Sequence, residues 1–288
     1  MCVFARDLAW HVLFRCLVTM NSTTIYRHSG KFTLSGLFLA LVAALVAAFP
    51  LGYIYAYVIK WVPFIYINVF IAGGFAFLWG FCAGKLLQLG KVRNNGMAAV
   101  VTLIVGLASV YFAWMGHISA YLGLGFPAPK EVLSGMELLY TKGSWSIRGY
   151  TFTGVPLGIA WGVEALMIVG LGSLASHLMI SRTPFSERDN CWLDQEKKNE
   201  TLEPILQADQ IARLTAGDIT SLDRMRSRPP GASQFARLTI KHSPRCQDFC
   251  VLDIANVAIS TDSKGRTRQS LREIARDIIL PKTVLDRF

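Results

Sequence analysis

TLSGLFLALVAALVAAFPLGYIYAYVI, residues 33–59, runs for 27 positions without a formally charged side chain. A helix rises about 1.5 Å per residue, and roughly 20 apolar residues suffice to cross a hydrocarbon core about 30 Å thick. The stretch is therefore predicted to span a membrane. Pro50 removes an amide donor and should bend the helix, while Tyr53, Tyr55, Tyr57 and Trp61 form an interfacial aromatic belt. Three further apolar runs follow at 64–84, 97–116 and 156–178, giving four spans.

Composition requires the same second solvent. The 288 residues are 52% hydrophobic and 17% charged, with mean hydropathy +0.39, whereas a soluble chain would be about 25% charged. Of the net charge of +10, residues 1–178 supply 11 Lys/Arg against 4 Asp/Glu, and residues 179–288 supply 18 against 15. The basic excess thus flanks apolar runs, as topology-setting loops do, and no nucleic-acid partner is expected. Arg15, Arg27 and Lys31 precede the first span, Lys85, Lys91 and Arg93 separate the second from the third, and Arg182 and Arg188 follow the fourth. Basic flanks are retained inside, so both termini are predicted to be cytoplasmic.

The expected organisation is an N-terminal cytoplasmic segment at 1–31, a four-helix transmembrane domain at 32–180 and a cytoplasmic domain at 181–288. Residues 1–19 make neither a span nor a good signal peptide. They are expected to be disordered or untranslated, with Met20 an alternative start. The loop 117–155 should hold a short interfacial helix over Lys130 to Tyr140, either capping the bundle or covering a solute site.

In the tail, Leu202, Ile205, Ala208 and Ala212 have helical spacing, stopped by Gly217. Asp218 then caps a second short helix holding Ile219 and Leu222. Phe235 to Lys241 and Phe249 to Ser260 read as strands of a β-hairpin, Asp262 to Gly265 as a turn, and Leu271, Ile274, Ala275 and Ile278 as a final amphipathic helix. The predicted fold is an α-helical membrane protein of four transmembrane helices plus a small cytoplasmic α/β domain of helices and a β-hairpin.

His28-Ser-Gly-Lys-Phe, Lys91-Val-Arg-Asn-Asn, the stretch Gly143 to Gly149 and Trp161-Gly-Val-Glu-Ala165 carry a resemblance. From about His28 onward the chain resembles a bacterial family of uncharacterised four-span membrane proteins. The resemblance implies that architecture and a bacterial inner membrane, and no activity. It also implies paired Cys-x-x-Cys elements after the last span and in the tail, where this chain has Ser186-Glu-Arg-Asp189 and Ser243-Pro-Arg-Cys246. Ser and Asp do not rebuild the soft tetrahedral set of structural zinc. Cys191, His242, Cys246 and Cys250 form a substitute set with weak spacing, and incidental or buried cysteines are the expected outcome, with no metal and no cofactor.

Glu164 is the most informative residue. Nine positions into the fourth run, it lies about 13 Å below the outer edge, where a carboxylate costs several kcal/mol unless protonated, paired or wet. It is either a functional group or a hydrogen-bonded link to Tyr111, Trp79 or a backbone carbonyl. Gly158 with Gly162, and Gly80 with Gly84, are small-xxx-small pairs suited to close helix packing within one chain or to a dimer face. His117 and His177, at span ends, read as interfacial. Hydrolase, zinc-protease and phosphate-loop motifs are all missing. The function expected from these features is a non-enzymatic membrane anchor or sensor, in contact with the lipid bilayer and acting through a membrane protein partner or a second copy. The rival is a small-solute or proton-coupled carrier using Glu164, and the discriminator is whether Glu164 faces a cavity or a helix.

Overall fold

The computed structural model describes residues 25–288 apart from 63, 124, 148, 217, 219–221, 223–224, 262–265 and 288. The readings of residues 1–19, of Met20 and Gly217, of a short helix at Ile219 and of the turn at 262–265 lie outside the described residues. The chain divides into two units, one of residues Ser29–Arg182 and one of Thr183–Phe288 with the segment ending at His28.

The first unit contains helices α1 (Leu34–Trp61), α2 (Ile65–Leu89), α3 (Asn95–Leu122) and α4 (Pro129–Lys142), a small hairpin of β1 (Ser146–Ile147) and β2 (Tyr150–Thr151), and helix α5 (Gly154–Ser181). Helices α1, α2, α3 and α5 are long and apolar enough to cross a membrane. Each extends beyond the run read from sequence at one end or both, and polar side chains cap two of the starts. Thr33 Oγ1 accepts from Gly36 N at 3.2 Å to start α1, and Asn94 Oδ1 accepts from Met97 N at 2.9 Å to start α3. Gly123, with φ +70°, ends α3 in the left-handed conformation. Pro50 lies inside α1, which continues through it to Trp61.

Small residues bring these helices together. On α1, Ala40, Ala44, Ala48, Gly52 and Ala56 recur every fourth position and are buried. They face α3 so closely that a Cβ on Gly52 would stand 2.8 Å from Ala113 N, and one on Gly116 would stand 2.9 Å from Ala56 Cβ. On α2, a Cβ on Gly80 would overlap the carbonyl of Gly172 in α5, and one on Gly84 would stand 3.2 Å from Ser176 Cα. Such close backbone contact supplies van der Waals energy along both seams. The outward faces carry large apolar side chains such as Phe70, 81% exposed, and Leu166, 75% exposed.

The second unit begins with β3 (Phe185–Ser186) and β4 (Cys191–Trp192), paired antiparallel. Then come β5 (Gln195–Leu202), helix α6 (Ala208–Thr215), β6 (Gln234–His242), β7 (Phe249–Thr261), β8 (Thr267–Pro281) and a 3-10 turn at Lys282–Arg287. Strands β5 to β8 form one antiparallel sheet in sequential order. Leu214, Leu238, Ile254 and Ile278 join its buried core.

This corrects the tail reading twice. Leu202 ends a strand, and the helix starts at Ala208. The final amphipathic helix is strand β8, paired with β7 from Thr261↔Thr267 to Phe249↔Pro281. Between Leu252↔Ile278 and Ile254↔Ala275, β8 uses three residues where β7 uses two, and it gains another before Ala255↔Glu273. Asp277 in the bulge has φ +60°. These bulges break the two-residue alternation, so Leu271, Ile274, Ala275 and Ile278 acquire a spacing that mimics a helix. Among the described residues the domain is therefore a four-stranded antiparallel sheet with helix α6 in the connection from β5 to β6, and its last long element is a strand in place of the expected helix.

Candidate functional site

Glu164 sits in the N-terminal half of α5, and its partner is Tyr55 of α1, not Tyr111 or Trp79. The Tyr55 hydroxyl donates to Glu164 Oε1. Tyr55 is itself fixed by burial and by stacking on Phe75, with ring centroids 4.5 Å apart and 12° between planes. The Trp79 ring instead lies across Gly172. Tyr111 packs beside Phe112.

Glu164 also faces space. A cavity of about 710 Å³ within the helical unit is bounded by Glu164, Tyr55, Asn68, Trp114, His117 and Trp161, with Lys60 and the segment Ser144 to Ser146 also on its wall. That volume falls in the range of small-molecule sites, about 300–1,000 Å³. Trp114 and Trp161 meet edge to face at 4.7 Å, and His117 lies between Trp114 at 5.6 Å and Tyr121 at 4.6 Å. Lys60 Nζ donates to the Ala120 carbonyl and stands 5.6 Å above the Tyr121 ring. The loop after α4 is held by Trp145 on Phe152, 4.4 Å apart, and by a Ser146–Thr151 hydroxyl pair at 2.8 Å.

Among the described residues, the Tyr55 bond is the one hydrogen bond made by the Glu164 carboxylate. Of the described buried side-chain atoms that lack a partner, Asn68 Oδ1 is the one on this wall. A buried amide oxygen without a donor costs about 1–3 kcal/mol, and this one has almost no accessible surface of its own. Asn68 is the sole amide side chain in the run 64–84, a signal in the sequence that pointed to it.

The glycine pairs separate. Gly80 and Gly84 pack against α5, whereas Gly158 meets only the Tyr140 ring at 3.2 Å and nothing stands within 4 Å of a Cβ on Gly162. His117 lines the cavity, and His177 is exposed.

In the sheet unit, the described residues hold no group of three or more His, Cys, Asp or Glu arranged to take a metal. Cys246 and Cys250 are buried, their thiols directed to the carbonyls of Phe249 at 3.6 Å and Pro281 at 3.7 Å. Burial and the neighbouring Cys246 thiol push Cys191 up to about 11 and Cys250 up to about 12, so both remain protonated and poor metal ligands. Burial, with Lys282 and Lys197 nearby, lowers His242.

Hydrogen bonds join the turn at 186–189 to the turn at 243–248. Asp189 Oδ2 accepts from Gln247 N at 2.6 Å and from Asp248 N at 2.9 Å. Ser186 Oγ accepts from Asp189 N at 3.2 Å and donates to Asp248 Oδ2 at 3.3 Å. Lys282 Nζ binds the carbonyl oxygens of Ser243 at 3.1 Å and of Cys246. The Gln247 and Asp248 amides hold the Asp189 carboxyl below the usual carboxylate range.

No protein-family model, no curated protein and no solved structure matches the chain.

Proposed function

We propose that this chain is a multi-pass protein of a bacterial inner membrane, with both termini cytoplasmic, and that its helical unit is a small-solute carrier built on Glu164. The observation that carries the reading is the cavity onto which that carboxylate opens. An acid at mid-membrane depth is costly unless it is protonated, paired or facing water, and a transport site is a common reason to keep one. Here one oxygen is held by Tyr55, which fixes the orientation, while the group still borders a space large enough for a solute.

A membrane anchor or sensor acting through a protein partner or a second copy is the second reading. It draws on the Tyr55–Glu164 bond, which ties α1 to α5 whether or not anything enters the cavity, and on a sheet unit with its own core.

The test is proton flux in liposomes holding the full chain or its Glu164→Gln variant, matched for thermal stability. Carrier function gives a flux that the variant loses. Absence of flux in both, with unchanged stability, returns the protein to the anchor reading. Topology is checked in a cysteine-free background, where an impermeant thiol reagent added outside should label Ser144→Cys and leave Ser263→Cys untouched.

A further inference from the structure

We infer that the Glu164 cavity takes an organic cation, a compact ammonium or phosphonium bearing apolar or aromatic groups. The inference rests on the solute-site reading and names its ligand class. Two features of the wall point to that chemistry. The carboxylate of Glu164 is the acidic group on it, and only one of its oxygens accepts a hydrogen bond from a described residue. Around it stand aromatic faces and edges, with Trp114 and Trp161 in contact and His117 and Tyr121 continuing the row. Acceptors and π-faces attract positive charge, and they do so more strongly where water is scarce.

The wall already holds one alkylammonium. Lys60 Nζ is seated between the Ala120 carbonyl and the Tyr121 ring. The same two kinds of group, an oxygen acceptor and a ring, also stand on this wall at Glu164 and Trp161. Lys60 also lies five residues beyond Tyr55 on α1, roughly 7.5 Å along the axis, so its charge is set apart from Glu164.

The test uses the full chain in lipid nanodiscs with three probes of nearly one shape, tetraphenylphosphonium, the anion tetraphenylborate and neutral triphenylphosphine oxide. Binding is read as quenching of tryptophan fluorescence beyond that of empty nanodiscs plus free indole, and as a rise in melting temperature. The cation should bind in preference to both others. Glu164→Gln should weaken it on the order of 10- to 100-fold, with Glu164→Asp retaining part of the affinity and Trp161→Leu weakening it while leaving the carboxylate intact. If the anion or the neutral probe binds as well as the cation, and Trp161→Leu weakens it but Glu164→Gln does not, the cation class is wrong and the solute site stands. If none of the three binds, both are overturned.

Discussion

Tyr55 of α1 donates its hydroxyl proton to Glu164 of α5, so a single side-chain bond joins two candidate spans 109 positions apart in sequence. Glu164→Gln keeps an acceptor for that hydroxyl and should change the melting temperature little. Glu164→Leu strands the Tyr55 hydroxyl and should cost about 1–3 kcal/mol. Tyr55→Phe added to Glu164→Leu should restore part of the loss. Melting in detergent for the single and double variants measures the coupling, and a Leu variant as stable as wild type removes the structural role.

Gly80→Ala should destabilise the helical unit by about 1–3 kcal/mol, because the new methyl collides with backbone at Gly172 and not with a side chain that could rotate away. Gly162→Ala, with open space around its Cβ, should be neutral or gain up to about 1 kcal/mol from helix propensity. The pair is compared by thermal melting. Equal costs at the two positions would contradict the packing described.

Lys241 is buried in β6, 2.7 Å from Asp253 and 3.9 Å from Asp277. Lys241→Met leaves two carboxylates facing each other across β7 and β8. The expected loss is about 3 kcal/mol, the low end of the range of roughly 3–5 for breaking a buried pair, since water partly reaches both acids. Chemical denaturation of the full chain, followed by a probe in the sheet, gives the number.

The Asp189 carboxyl titrates below its unfolded value, near 3.9. Its contribution to stability is therefore complete above that pH and is lost as pH falls through the lower folded value. Asp189→Asn should flatten the melting temperature profile below about pH 4, while wild type declines more steeply. Parallel profiles would mean that the Gln247 and Asp248 amides hold the carboxylate no more tightly than water does.

Elemental analysis of the purified chain should give well under one zinc per molecule, and a chelator should leave the melting temperature unchanged, since the described residues hold no group of three or more ligand side chains arranged to take a metal. One zinc per molecule would require Cys191, His242, Cys246 and Cys250 to move together.

The four long helices were readable because an uncharged run of span length has few other uses, and their ends only approximately, because caps such as Asn94 lie outside the apolar stretch. Glu164 stood out as a lone acid. Its partner did not, since helices apolar on every side carry no periodic face to say that Tyr55 turns inward while Tyr66 stays 81% exposed. The Gly52–Gly116 seam was hidden for the same reason. In the sheet unit, strands β6 and β7 kept enough β-branched alternation to be recognised, while the bulges around Asp277 erased it from β8.

The pairing of Ile25 with Ile278, with Tyr26 N bonded to Asp277 O at 2.6 Å, also sets a timetable. Those partners are separated by every helix of the first unit and by the other strands of the second. The Ile25 segment is made before all of those elements, so its bond to β8 can form only once Ile278 has been synthesised. A chain arrested before Asp277 would carry its apolar helices without this contact.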